Sequence, residues 1–154
     1  PGGGVEESRR GTGVTWLLVV LLGLLGGGGG QPSDLGHLME TARAAFERRD
    51  FDELINSRRA VRLKLPDRAA GGLVRGAVAS AALHGLGRRT DDVEIVGVGA
   101  AVVEQGHGYL ELRRRFRVRG TAEMQTHRIL ISARWEENSW QVTEVWIAPL
   151  APVP

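Results

Sequence analysis

Arg114, His127 and Glu144 each interrupt a run of alternating apolar residues in the C-terminal part of this 154-residue chain. A histidine and a glutamate on one apolar surface can work as an acid–base pair, because burial and neighbouring charge shift their pKa values. An arginine beside them would anchor an anion through its planar fork of donors. Phe116 and Trp146 would wall such a site, and Ala100 is small enough to leave space beside Arg114. Other chemistries find no support. The chain has no cysteine, which removes thiolate nucleophiles, thiolate zinc sites and disulfides. His37, His84, His107 and His127 include no H-x-H or H-x-x-x-H pair, so neither a metal nor a cofactor is expected. The glycine run Gly26–Gly30 is no phosphate loop, since it follows no strand and lacks a G-K-[ST] ending.

Positioning these residues requires a sheet. Ser33 as N-cap and Asp34 at the positive end of the dipole open a helix on which Leu35, Leu38, Met39, Ala42, Ala45 and Phe46 share a face. Asp50 with Glu53 reads as a capping box for a second, short helix carrying Phe51, Leu54 and Ile55. Val61, Leu63 and Leu65 alternate with Arg62 and Lys64, as in a short strand ended by Pro66-Asp67. Leu73 to Leu86 is small and apolar around its circumference, which suits a helix buried against a sheet. Beyond Arg89 the period becomes two. Strands are expected at about 93–105, 108–119, 124–135 and 140–148, joined by GHG, GTAE and EENS turns. Links this short make antiparallel hairpins. The order is α+β, with two to three N-terminal helices ahead of the sheet.

If each turn closes its hairpin symmetrically, Val96, Val98, Ala100 and Val102 share a face with Leu110, Leu112, Arg114, Phe116 and Val118. That face continues through His127, Ile129, Ile131, Ala133 and Trp135 to Trp140, Val142, Glu144 and Trp146. The row through Arg114 then reads Ala100, Arg114, Ile129, Trp146, with Glu144 one row away beside Ile131. A slip of one residue would turn these side chains to the other face. Buried charge needs a partner. An Arg114–Glu144 pair closing the open end of the fold is therefore the simpler reading, and catalysis by His127 and Glu144 the sharper one.

The opposite face carries Arg113, Arg115, Arg117 and Arg119, with Arg128 expected opposite Arg115, over the small residues Gly97, Gly99 and Ala101. Such a stripe is either a solvated face or a surface for phosphate, acidic polymer or anionic lipid. Nucleic acid is not expected, since only Tyr109 interleaves an aromatic ring with the arginines.

Composition divides the chain. There are 20 Lys+Arg against 18 Asp+Glu, a net +2 that mandates no charged partner, and half of the 22 glycines lie in residues 1–30. Arg9 and Arg10 precede the apolar run Val14 to Leu25, followed by Gly26–Gly30. A basic flank, a short apolar core and a small-residue end match a signal peptide, with an uncleaved membrane anchor as the alternative. Either places the remainder outside the cytoplasm. Residues 1–30 are thus a leader or anchor, 31–148 a folded domain and 149–154 a proline-rich tail.

The opening TARAAFERRDFDELINS, the small-residue helix and the closing ENSWQVTEVWI together resemble the nuclear transport factor 2-like superfamily. The resemblance implies a strongly bent antiparallel sheet wrapped as a cone around the helices, often dimeric through the sheet. Steroid isomerases and polyketide cyclases of this superfamily use a pocket Asp or an Asp–His set. No Asp follows Asp92 here, which disfavours those enzymes and leaves Glu144 as the substitute. The expectation is a non-catalytic extracytoplasmic binding or assembly module. The alternatives are a small secreted isomerase, dehydratase or cyclase, or a carrier for a small apolar or anionic ligand held by Arg114. Expected partners are a second copy through the sheet and, if the leader is retained, the membrane.

Overall fold

The computed structural model describes residues 32–68, 70–104 and 106–151. The leader or anchor expected in residues 1–30 and the last residues of the proline-rich tail lie outside the described residues. Among the described residues, no helix is long and apolar enough to cross a membrane.

Two helices pack on one face of a six-stranded mixed sheet. The elements run α1 (Pro32–Arg48), β1 (Ala60–Lys64), β2 (Gly72–Arg75), α2 (Gly76–Arg88), β3 (Thr90–Glu104), β4 (His107–Val118), β5 (Met124–Glu136) and β6 (Ser139–Pro149). The strand order is β2-β1-β6-β5-β4-β3. All pairings are antiparallel except β1 with β6, which is parallel, so the expected purely antiparallel sheet becomes a mixed one.

Helix α1 buries the face its pattern predicts, but it starts at Pro32, so Ser33 lies inside the helix rather than at its N-cap. Leu35, Leu38, Ala42, Ala45 and Phe46 are buried on one face, Asp34 lies in the first turn and Arg48 in the last. It ends at Arg49, whose φ of 59° is the left-handed conformation that commonly closes helices, with the Asp50 amide donating to the Ala45 carbonyl. The expected second helix is only a turn. The amides of Leu54 and Ile55 both reach the Phe51 carbonyl, and Asp50 accepts from the Asp52 amide instead of capping a helix. Phe51, Leu54 and Ile55 are nonetheless buried, and Phe51 packs edge-on against Phe46. Leu73 to Arg75, expected as helix, pair with β1 as strand β2, and α2 starts at Gly76. A side chain at Gly76 would put its Cβ 2.0 Å from the Asn56 carbonyl oxygen, so this entry to α2 needs glycine.

Register departs from the symmetric-turn expectation through β-bulges, which insert an unpaired residue and turn the following side chains over. In β6 the pairing runs Trp135↔Trp140 and Ala133↔Val142, then shifts to Ser132↔Glu144 and Ile131↔Val145. Trp140 and Val142 face the core before the shift, and Val145 and Ile147 face it after. Strand β3 has three such shifts, between Asp92/Glu94, Gly97/Gly99 and Val102/Glu104. Its apolar alternation is therefore lost to the core. Ile95 is buried and Gly97 abuts Met39, while Val96, Val98 and Val102 are exposed on this edge strand.

The β6 bulge has a measurable consequence. Ile147→Ala removes a buried side chain and is expected to lower the unfolding free energy by about 2–5 kcal/mol. Trp146→Ala, on the other face, is expected to cost about 1 kcal/mol or less. Urea unfolding of the two variants checks the order. A larger loss at Trp146 would show that β6 runs without the bulge.

Candidate functional site

The polar centre lies where the end of α1, the α2–β3 junction and the middle of β4 meet. Arg114 points inward from β4 and is 2% exposed. Its Nε donates to Asp92 Oδ1 at 2.6 Å, and its Nη2 reaches both Asp92 Oδ1 and Thr90 Oγ1. Asp92 also meets Arg49, with Nε 3.7 Å from Oδ2, and Arg49 Nη2 donates to the Thr90 carbonyl at 2.8 Å. The left-handed turn at Arg49 thus delivers a second cation to the same carboxylate. The Phe116 ring lies 4.6 Å from the Arg114 guanidinium carbon and 4.5 Å from the His127 ring, edge to face. Burial lowers the Arg114 pKa against the raising influence of Asp92, but an arginine keeps its charge at any ordinary pH.

His127 pairs directly across from Arg114, where the symmetric hairpin had put Ile129. The ring is buried, and burial first, then the Arg114 charge, push its pKa down to about 4. It is neutral at pH 7, and its Nδ1 has no hydrogen-bond partner among the described residues. Arg114 Nη1 is likewise buried and unpartnered among them.

The remaining expectations fall apart in space. Glu144 and Trp146 sit beyond the β6 bulge on the outer face, so Glu144 neither pairs with Arg114 nor approaches His127 as an acid–base partner. Trp146 is 39% exposed, with the Lys64 ammonium 4.7 Å over its ring. Ala100 pairs with Leu110, and the residue beside Arg114 on β3 is Ile95. Of the expected ligand-binding set, Arg114 and Phe116 meet, while Ala100 and Trp146 lie elsewhere. Asp92 and Thr90 fall outside the expected strands because β3 starts at Thr90 rather than 93, and Arg49 reaches the centre through the left-handed end of α1. The available signal was Asp92 itself, an acidic residue at the head of an apolar run.

On the outer face Arg113, Arg115, Arg117 and Arg128 are exposed as expected, and Arg119 follows in the turn. Arg128 lies opposite Arg113 rather than Arg115. Three of the five are paired. Arg128 makes two 2.8 Å hydrogen bonds to Glu111, Arg119 reaches Asp91 at 3.0 Å, and Arg115 lies 3.8 Å from Glu94. Carboxylates thus meet three of the five arginines of the stripe.

Two cavities bear on function. Beside Arg114 and Asp92, enclosed by Phe46, Phe51 and Leu83, only about 10 Å³ is open, near the size of one water. At the open end of the fold a shallow groove of about 390 Å³ runs between Pro66, Leu86, Arg89, Phe116, Gln125 and His127. Among the described residues, no cluster of three His, Asp or Glu side chains is arranged to hold a metal ion.

This architecture is the nuclear transport factor 2-like fold. The sequence matches no protein-family model and no curated protein. Among solved structures it is similar to a ketosteroid isomerase-like protein from Erwinia carotovora atroseptica, with TM-score 0.62 and 12% identity, covering 78% of this chain and 96% of that one. A DUF4783 family protein from Bacteroides uniformis aligns with TM-score 0.60 and 11% identity over 73% of this chain and 96% of its own. A member of the same fold family from Streptomyces avermitilis aligns with TM-score 0.60 and 12% identity over 77% and 95%.

Two predictions follow from the buried centre. Asp92→Asn leaves Arg114 buried without its counter-ion and is expected to cost about 3–5 kcal/mol in urea unfolding, with Arg114→Met comparable and the double variant well short of the sum. Additive losses would mean that the two side chains act independently. The second concerns acid. The folded state holds His127 neutral down to about pH 4, while the unfolded chain protonates it near 6.5. The unfolded state therefore binds the extra proton between those values, and stability falls as pH drops through that window. At about 1.4 kcal/mol per pKa unit, the loss from pH 7 to 4 is on the order of 3 kcal/mol. His127→Gln should flatten this part of the stability–pH curve; an unchanged slope would refute it.

Proposed function

We propose that this protein is a non-catalytic, extracytoplasmic binding or assembly module whose interior serves stability and whose surface serves recognition. The filled space beside Arg114 and Asp92 carries the reading, since the groove of about 390 Å³ that reaches His127 is shallow and open to the surface. A catalytic cone needs room for a substrate, typically about 300–1,000 Å³. Only about 10 Å³ is open beside Arg114 and Asp92. The carboxylate nearest that centre, Asp92, is engaged by two arginines, and the glutamate once paired in expectation with His127 is on the other side of the sheet. General acid–base work needs a group free to exchange its proton with a substrate. The extracytoplasmic part of the reading is supported by Arg9 and Arg10 ahead of the apolar run Val14 to Leu25.

A second reading has one observation in its favour. The groove of about 390 Å³ at the open end, walled by Phe116 and His127, suits a small-ligand carrier. A carried ligand would raise the melting temperature, and Phe116→Ala would remove that rise.

Turnover assays on the full-length chain with aromatic ketones and hydroxylated aromatic compounds test the main reading. No isomerisation or dehydration above background is expected. Turnover that disappears in His127→Gln, with folding retained, would overturn it. Protease protection in intact cells checks the location: the domain of residues 31–148 should be cleaved from outside, and a protected cytoplasmic domain would refute the placement.

A further inference from the structure

The outer face of the sheet has a groove that the core does not use, lined by apolar residues and by the Arg128–Glu111 ion pair. Leu130 separates two shallow depressions. One, of about 170 Å³, runs along Trp146, Ala148 and Leu150. The other, of about 270 Å³, runs past Tyr109, Val98 and Ala101. The register aligns them: Lys64↔Trp146, Trp146↔Leu130, Leu130↔Glu111 and Glu111↔Gly99 form one row across β1, β6, β5, β4 and β3. Trp146 is 39% exposed, Tyr109 47% and Val98 49%, a concentration of large apolar surface that water-facing sheets rarely leave bare.

Charge around the groove is one-sided. The next row toward the fold's open end carries Arg113 and Arg128, with Arg115 and Arg117 beyond it. Lys64 and Arg62 stand at the β1 end. Glu111 and Glu94 are already paired with Arg128 and Arg115. Glu144, beside Arg62 in register, is the remaining carboxylate on this part of the face. Among the described residues, Arg62, Lys64, Arg113 and Arg117 make no ion pair. A two-fold pairing of this face with itself would bring these unpaired cations from both copies together with Glu144 as the one uncommitted carboxylate from each, a surplus of positive charge. That argues against a second copy as the occupant.

We propose that the groove is the docking surface for an acidic amphipathic helix of another protein. From Trp146 to Val98 the groove crosses three inter-strand spacings, about 14 Å at roughly 4.8 Å each. That length matches about ten residues of helix at about 1.5 Å per residue. Apolar side chains at i, i+3 or i+4 and i+7 would cover Trp146, Leu130 and Tyr109. Carboxylates on one flank would meet Arg113 and Arg117, and those at one end would meet Lys64 and Arg62. This rests on the surface-recognition reading above and supplies its partner class.

The probe is a synthetic helical peptide of about eighteen residues, long enough to be helical in water, with leucines on one face and glutamates elsewhere. Its control carries lysine in place of every glutamate. Fluorescence anisotropy with the full-length protein is expected to show binding of the Glu peptide alone, weakening as salt rises. Trp146→Ser should raise its Kd at least tenfold, and so should Arg113→Glu with Arg117→Glu. All three sites are solvent-facing, and circular dichroism verifies that the variants fold. The double charge reversal should also gain affinity for the Lys peptide. Four results would overturn the proposal: no binding of the Glu peptide, equal binding of both peptides, binding confined to phosphatidylglycerol vesicles, or a sedimenting dimer that Trp146→Ser dissolves. None of these bears on turnover. A failed peptide assay with no enzymatic activity removes the partner and leaves the non-catalytic reading standing, whereas His127-dependent turnover removes that reading whatever the peptide does.

Discussion

Burying the Arg114 charge is the constraint around which the rest of the fold is arranged. A guanidinium 2% exposed is costly unless a carboxylate and further acceptors meet it inside. Asp92 supplies the charge and Thr90 the acceptor, both from the first residues of β3. Thr90 in turn reaches the last carbonyls of α2, its Oγ1 lying 3.4 Å from the Gly87 oxygen. Arg49, at the left-handed end of α1, closes the carboxylate's other side. One buried cation thus ties the ends of both helices to the central strands. It also accounts for a bulky residue in the left-handed conformation at a position where glycine is usual.

That same centre is closely packed. Packing around Phe46, Phe51 and Leu83 leaves space for about one water beside the polar cluster. His127 is held neutral by burial and by the neighbouring arginine. The nuclear transport factor 2-like fold serves many purposes, because its sites are placed on the scaffold rather than dictated by it. In this chain Arg114, Asp92 and Thr90 bond to one another in the interior, and exposed Trp146, Tyr109 and arginines lie on the outer sheet face.

Several elements could be read before any coordinates. The 3.6-residue spacing of Leu35, Leu38, Ala42, Ala45 and Phe46 marked α1, and the alternation in β4 and β5 placed every inward residue of those strands correctly, from Leu110 to Phe116 and from His127 to Ala133. Their hairpin slipped by two residues relative to a symmetric turn, which moved His127 next to Arg114 without changing any face. In β6 the slip was one residue, and Glu144 and Trp146 changed sides. The difference is parity. Even shifts leave side chains on their face, and a bulge does not. Leu73 to Arg75 misled for another reason: apolar residues continuous with a helix carry no period of their own, and pairing with β1 decided that they form a strand.

The amino-acid sequence by itself determined which residues are apolar and at what spacing, and therefore the α+β order, the buried face of α1 and the sheet strands other than β2. It also put Arg114, the one arginine of its strand on the inward phase, on the core face, together with Glu144, which the fold turns outward. Only the tertiary structure decided which residue answers that charge. Asp92 is 22 positions away, and a β-bulge beside it sets the register of its strand. Bulges leave no local signature, since they are selected by how the whole sheet twists to close on its helices. The tertiary structure likewise turned Glu144 and Trp146 outward, separating a supposed catalytic pair and exposing Trp146 beside Leu130 on the outer face.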